Sequence, residues 1–223
     1  MSERNERSDT ARAYFEAVAG RYEREYALPA SESRARLAVI TGELAQTPGA
    51  RVLDLGVGTG RELSALLDAG HQPTGLDISP AMLARCAARA RPVPLVEADL
   101  YAPLPFPGQS FDAVLALHGT LAHPPGGLAL GKLAREIDRV LRPGGVVVIE
   151  VPTTRWLAAM SDRPTASFVP HDGARGRHVD PVTGAAIEVE LLTSDQWRAL
   201  FPPPFVTRID DLGGGEIRLV ARR

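Results

Sequence analysis

Twice before residue 50, apolar side chains recur at helical spacing. Tyr14, Phe15, Val18 and Tyr22 predict a helix over 9–26, capped by Asp9 or Thr10. Leu37, Ile40 and Leu44 predict a second, starting near Ser31 or Ser33 and stopping before the Pro48-Gly49 turn. Residues 1–8 are polar and are expected to fray. From residue 50 the pattern becomes one of short apolar runs alternating with helical stretches. Arg51 to Leu55 reads as a buried strand, followed by a glycine loop and a helix over 60–69. Gln72–Asp77, Val93–Glu97, Phe111–Leu117 and Val146–Val151 are four further strands. A helix begins at Ser79-Pro80, with proline at its first position, where a missing N–H costs nothing. Another carries Leu130, Leu133, Ile137, Val140 and Leu141 on one face and stops at Arg142-Pro143-Gly144-Gly145.

This rhythm predicts an α/β fold, a doubly wound and mostly parallel sheet with right-handed crossovers. After the fifth strand the spacing changes. Arg177–Val179 and Ala186–Leu192 flank the turn Asp180 to Gly184, which reads as a β-hairpin inserted within 166–192. A short helix starts near Ser194 and holds Trp197. Phe205–Leu212 and Glu216–Arg222 are joined only by Gly213-Gly214-Gly215, a connection that allows nothing but an antiparallel pair.

Composition narrows the setting. The 223 residues suit one domain with an appended cap, and 44% hydrophobic with 23% charged residues is an ordinary globular balance. A formal net charge of −2 gives no general pull toward nucleic acid or an anionic membrane, so a small-molecule substrate is expected and neither a nucleic acid nor a membrane partner is. Cys86 is the one cysteine, which excludes an intrachain disulfide and a cysteine metal cluster. With a charged N-terminus and no long apolar run, the expected location is the cytoplasm. Lys132 is the only lysine, an arginine bias consistent with GC-rich coding.

The chemistry centres on Asp54-Leu55-Gly56-Val57-Gly58-Thr59-Gly60, at the carboxyl end of the first strand. Open α/β sheets bind ligands there, and glycines let the backbone approach them. A dinucleotide fingerprint is G-x-G-x-x-G, with the pyrophosphate on the helix N-terminus. Here the third glycine comes one position early and Arg61 follows it. S-adenosylmethionine (SAM) has no pyrophosphate but carries an ammonium and a sulfonium, which Asp54 could meet. Asp77 closes the second strand about twenty positions after Gly56, the separation at which a carboxylate takes ribose hydroxyls. Asp99 follows the third strand and could accept the adenine amino proton, with the Leu100 N–H offered to a ring nitrogen. Taken singly, Asp77 and Asp99 could instead be helix caps.

Val52–Gly60, Gly75–Ser79, Glu97–Leu100, Phe111–Leu117 and Leu141–Gly145 resemble, in order and spacing, the successive motifs of class I SAM-dependent methyltransferases. The resemblance covers about residues 48–152. It implies a seven-stranded sheet of order 3-2-1-4-5-7-6, with the last strand antiparallel. Around it, residues 1–49 read as an N-terminal helical cap and residues 50–223 as the SAM-binding domain, with the insertion at about 153–192. SAM is the implied cofactor, with Asp54, Gly56, Val57, Gly58, Gly60, Asp77, Ile78, Asp99, Leu100 and His118 around it. Val57 is a mild departure, since a smaller or more polar residue is common there.

Methyl transfer chiefly requires alignment of the acceptor and exclusion of water, with a base only where the acceptor must lose a proton. His118 and His123, in the loop after the fourth strand, and Tyr22 are the candidate catalytic residues; each could equally be a packing residue. No metal is expected, because no acid or cysteine cluster accompanies the histidines. The leading reading is a methyltransferase acting on oxygen, nitrogen or carbon of a small molecule. A tRNA- or protein-modifying methyltransferase is the second. A SAM-binding protein without methyl transfer is the third, and an NAD-dependent oxidoreductase the fourth. The sequence leaves the acceptor and the oligomeric state open.

Overall fold

The alternation from residue 50 onward builds one seven-stranded sheet, seen in a computed structural model that describes residues 3–26, 29–89, 91–124, 128–156 and 168–223. In chain order the elements begin with helices α1 (Glu3–Val18), α2 (Tyr22–Glu25) and α3 (Ala30–Leu44). The alternating part follows as β1 (Arg51–Leu55), α4 (Leu63–Asp68), β2 (Gln72–Asp77), α5 (Pro80–Arg89), β3 (Leu95–Glu97), β4 (Phe111–Ala116), α6 (Ala129–Val140) and β5 (Leu141–Pro152). The insertion is β6 (Phe168–Pro170), β7 (Arg175–Val179) and β8 (Ala186–Glu190). Then come α7 (Ser194–Ala199), β9 (Val206–Gly213) and β10 (Glu216–Arg222).

The sheet order is β3-β2-β1-β4-β5-β10-β9, the predicted order once the three insertion strands are set aside. β10 runs antiparallel to both β5 and β9, as the three-glycine turn requires. Both faces are covered. Leu53, Leu55, Val147 and Ile149 pack on one side under α6 and α7, where Trp197 is buried. Val52, Leu115, Val146 and Val148 pack on the other, against Leu66 of α4 and Ile40 and Leu44 of α3. Each such fully buried side chain stabilises the fold by about 1.5–3 kcal/mol relative to exposure. Among the described residues no helix is long and apolar enough to cross a membrane.

Local differences from the sequence reading have physical reasons. The first helix starts at Glu3, inside the stretch expected to fray, because Ser8 and Arg12 bond the sheet's edge at Asp99 (2.8 Å) and Glu97 (2.6 Å). It stops at Val18, before Gly20, and resumes as the single turn α2. Leu141 is already extended and pairs with Phe111; after the Arg142–Gly145 turn the register resumes at Val146 opposite Ala113. The inserted hairpin gains a third strand, β6, on its edge. Three residues ending in proline carry no usable periodicity. The signal was Gly176 in β7, where any Cβ would meet the Phe168 ring at 2.2 Å.

The helices of residues 3–44 do two jobs. Whereas α3 covers a sheet face, α1 lies across the strand ends, burying Tyr14 and Val18 between Met82 of α5 and Ile187 of β8. That wedge roofs the crevice at the carboxyl ends of the strands.

Candidate functional site: the crevice at the strand ends

After β1 the chain turns back on itself. The Gly56 and Val57 N–H groups donate to the Leu76 carbonyl (2.7 and 3.0 Å), which ties the loop to β2. Gly56 has φ +67°, and a Cβ there would lie 2.4 Å from the Thr120 side chain. Gly60 has φ +75°, and its Cβ would strike the Cys86 sulfur at 2.6 Å. These two positions therefore need glycine for both conformation and room. Gly60 turns the chain toward α4, outside the crevice lining. The Val57 side chain packs inward with Leu63 and Cys86, so Val57 borders only a small recess beside the main cavity.

Asp77 organises the loop. Its Oδ2 accepts from the Gly58 N–H and its Oδ1 from the Ser79 N–H, both at 2.9 Å. Burial pushes its carboxyl up, and the Ser79, Gly58 and Ile78 N–H groups partly offset that. Asp54 is 3% exposed, and its Oδ2 has no hydrogen-bond partner among the described residues. Burial, with Glu62 and Asp77 as like charges, holds its pKa well above the usual carboxylate range. An orphaned acid at the mouth of a glycine loop is a site for a cation.

The main cavity, of about 440 Å3, runs from this loop beneath α1 to the insertion. Ile78, Asp99 and Leu100 line one end, with Asp77, Gly56 and Gly58 between them and the recess. Asp99 accepts from the Tyr101 N–H on Oδ1 and from the Ser8 hydroxyl on Oδ2, both at 2.8 Å. Ser8 escaped the sequence reading because it lay in the segment expected to fray.

His118 borders both the cavity and the recess. At φ +53° it stands in the left-handed region, and its Nε2 lies 2.6 Å from Glu62 Oε1. Glu62 was not singled out from sequence; it is next but one after Gly60, in the turn before α4. His123 donates through Nδ1 to the Glu188 carbonyl of the insertion (3.0 Å), which leaves Nε2 as the acceptor nitrogen. Burial pushes its pKa down to about 4, so it is neutral at physiological pH.

Tyr22 lines cavity and recess alike. It stacks on Tyr26 at 4.8 Å, beneath the Arg61 guanidinium at 5.3 Å, and burial raises its pKa to about 12. The single turn α2 is anchored at both sides. Glu23 accepts from the Thr59 hydroxyl, from Arg61 Nε (3.0 Å) and from Arg89 Nη1 (2.5 Å). Burial would raise the Glu23 pKa, but those three donors hold it down at about 2. Arg21 pairs with the buried Asp180 on the turn between β7 and β8. Tyr14, Tyr26 and His178 form a chain of 2.9 and 3.1 Å contacts from α1 to β7. The exposed Arg175 and Arg177 of the insertion pair with Asp172 and Glu188. Among the described residues no group of three His, Cys, Asp or Glu side chains is placed to hold a metal.

Residues 53–149 match the family model of a methyltransferase domain. A demethylmenaquinone methyltransferase of Renibacterium salmoninarum is 34% identical over 149 residues, 65% of this chain and 60% of that protein. One of Thermus thermophilus is 42% identical over 110 residues, 46% of this chain and 47% of that one. The chain thus spans about three fifths or less of the curated relatives it matches. Among solved structures, a DhpI-SAM-HEP complex superposes with a TM-score of 0.70 at 23% identity, covering 96% of this chain and 97% of that one. The Burkholderia thailandensis 1,6-didemethyltoxoflavin-N1-methyltransferase, with 1,6-didemethyltoxoflavin and S-adenosylhomocysteine bound, gives 0.67 at 20% identity, covering 100% of this chain and 91% of that one. At such identities the likeness is one of fold.

Proposed function

We propose that the protein, whose residues 53–149 match a methyltransferase-domain family model and whose sheet has the class I strand order, is a SAM-dependent methyltransferase acting on a small molecule. The observation that carries the reading is the buried Oδ2 of Asp54, unpartnered among the described residues, in the recess lined by the glycine loop. The donor set fits SAM along its length. Asp54 would meet the ammonium, Gly56 and Gly58 the methionyl chain, Asp77 the ribose hydroxyls, and Asp99 the adenine amino group between Ile78 and Leu100. Bound there, SAM supplies an electrophilic methyl on a sulfonium, for in-line displacement by an oxygen, nitrogen or carbon nucleophile.

The chain's own residues do the rest. α1 and α2 roof the crevice and exclude water, which strengthens every polar contact inside it. Tyr22 remains a neutral phenol and separates the recess from the wider chamber under the insertion. His118, fixed by Glu62, closes the methionyl end. His123, neutral at physiological pH, can accept a hydrogen bond through Nε2 from the O–H or N–H of an acceptor and so orient it. We place the enzyme in the cytoplasm, with residues 1–49 as cap and residues 50–223 as the SAM-binding domain. The net charge of −2 favours a small acceptor over a nucleic acid.

Titration calorimetry with SAM tests the proposal. Binding a cation to Asp54 requires its carboxylate, so affinity should rise with pH through the raised pKa of that group. Glu62, Arg61 and His118 also line the recess, and Asp77 lines the cavity beside it; Asp54→Asn should flatten the Asp54 part of the profile and weaken binding about tenfold. No heat and no saturation with SAM would refute the reading. Glu23→Ala should free α2 and speed S-adenosylhomocysteine release roughly tenfold in stopped flow, losing three charge-assisted hydrogen bonds at the lid. An unchanged release rate would show that α2 does not hold the cofactor.

A further inference from the structure

Resting on that reading, we propose that the acceptor chamber takes a planar aromatic molecule that bears a hydroxyl or ring N–H and carries no carboxylate or phosphate. The walls beyond Tyr22 are aromatic: Tyr14 and Phe15 of α1, Tyr26 after α2, and Trp156 after β5. Flat rings bind a flat ligand with offset or edge contacts that a saturated one cannot match.

Charge settles the rest. Among the described residues the arginines lining the cavity are Arg36 and Arg61, and both are already engaged. Arg36 donates to Glu150 (3.0 Å), Glu32 (2.7 Å) and Glu216 (2.9 Å). Arg61 is held by Glu23 and by the Tyr26 carbonyl (2.8 Å). Of the histidines lining the cavity, His118 is engaged by Glu62 (2.6 Å), and burial lowers the pKa of His123, to about 4, and that of His178. A carboxylate or phosphate on the acceptor would therefore be desolvated with no free cation among the described residues to meet it. What the chamber does offer is the His123 acceptor nitrogen, which suits a ligand with one O–H or N–H to give.

Trp156 lines the cavity while Trp197 is fully buried in the core, so ligand binding can be read from tryptophan emission. The protein is first loaded with S-adenosylhomocysteine, with loading confirmed by calorimetry; failure at that stage counts against the methyltransferase reading itself. Naphthol, hydroxynaphthoic acid and decahydronaphthol are then titrated. Naphthol should bind about tenfold or more tightly than each of the others, the cost of an unpaired buried charge or of lost ring contacts. Trp156→Phe should abolish the signal while calorimetry still detects naphthol. Glu216→Gln, which releases one carboxylate from Arg36, should narrow the preference over hydroxynaphthoic acid to about threefold. Equal or tighter binding of the acid or the saturated alcohol to the loaded protein would overturn the inference and leave the cofactor assignment standing.

Discussion

Replacing Asp77 with alanine is expected to weaken SAM binding by about a hundredfold or more, since two hydrogen bonds to a charged group contribute roughly 1.5–3 kcal/mol each. The residue does double duty. Its two oxygens hold the Gly58 and Ser79 N–H groups at 2.9 Å, and so fix the glycine loop to the start of α5. Each oxygen retains lone-pair capacity for a ribose hydroxyl. Alanine removes the ligand contact and also leaves two backbone donors unsatisfied at the mouth of the site. Asp77→Asn should fall between the two, because an amide can accept from one N–H but presents its own NH2 to the other. Calorimetry with SAM, paired with a thermal melt, separates the parts. Loss of affinity with Asn at unchanged melting temperature would isolate the ribose contact, whereas undiminished binding by Asp77→Ala would remove Asp77 from the site.

The carboxyl ends of β1 and β3 were legible in sequence because their acids lie in or just after short runs of leucine and valine, and that of β2 because Gly75-Leu76-Asp77 leads into Ser79-Pro80. A strand end in an open α/β sheet has few fates. Asp77 and Asp99 line the main cavity and Asp54 the recess beside it. The order of the sheet came from the family resemblance, and the antiparallel last pair was legible because three glycines leave only a hairpin. The roof was not. Ser8 and Glu23 lie in polar stretches whose periodicity says helix at most. Their partners, Asp99 and Thr59, are far away in the chain, so nothing local marks the pairing. The His118–Glu62 pair was hidden likewise: a histidine at a strand end was visible, its carboxylate partner 56 residues away was not. Local pattern carries the frame of this site, while contacts across the chain carry its closure.

The second large effect concerns stability, at Glu150, an acid inside the β-branched run Val146 to Val151. Its carboxylate is 1% exposed, and it accepts from Arg218 Nε at 2.8 Å, from Arg218 Nη2 at 2.5 Å and from Arg36 Nη1 at 3.0 Å. Arg218, on β10, is itself only 4% exposed. Glu150→Ala would leave that guanidinium charged, buried and unpaired, at a cost of about 3–5 kcal/mol. For a chain of this size that is a fall in melting temperature of roughly 6–20 °C. Arg36 keeps Glu32 and Glu216, so the damage should centre on Arg218. The double variant Glu150→Leu/Arg218→Met removes both buried charges and should recover most of the loss, as apolar replacement of buried pairs often does. Differential scanning calorimetry on the two variants decides the matter. A double variant no more stable than Glu150→Ala would mean that the β5–β10 pairing depends on the ion pair itself. Recovery would show that these charges sit beneath the acceptor chamber at a cost to the sheet, which directs attention to what Arg36 and Glu150 do for the ligand above them.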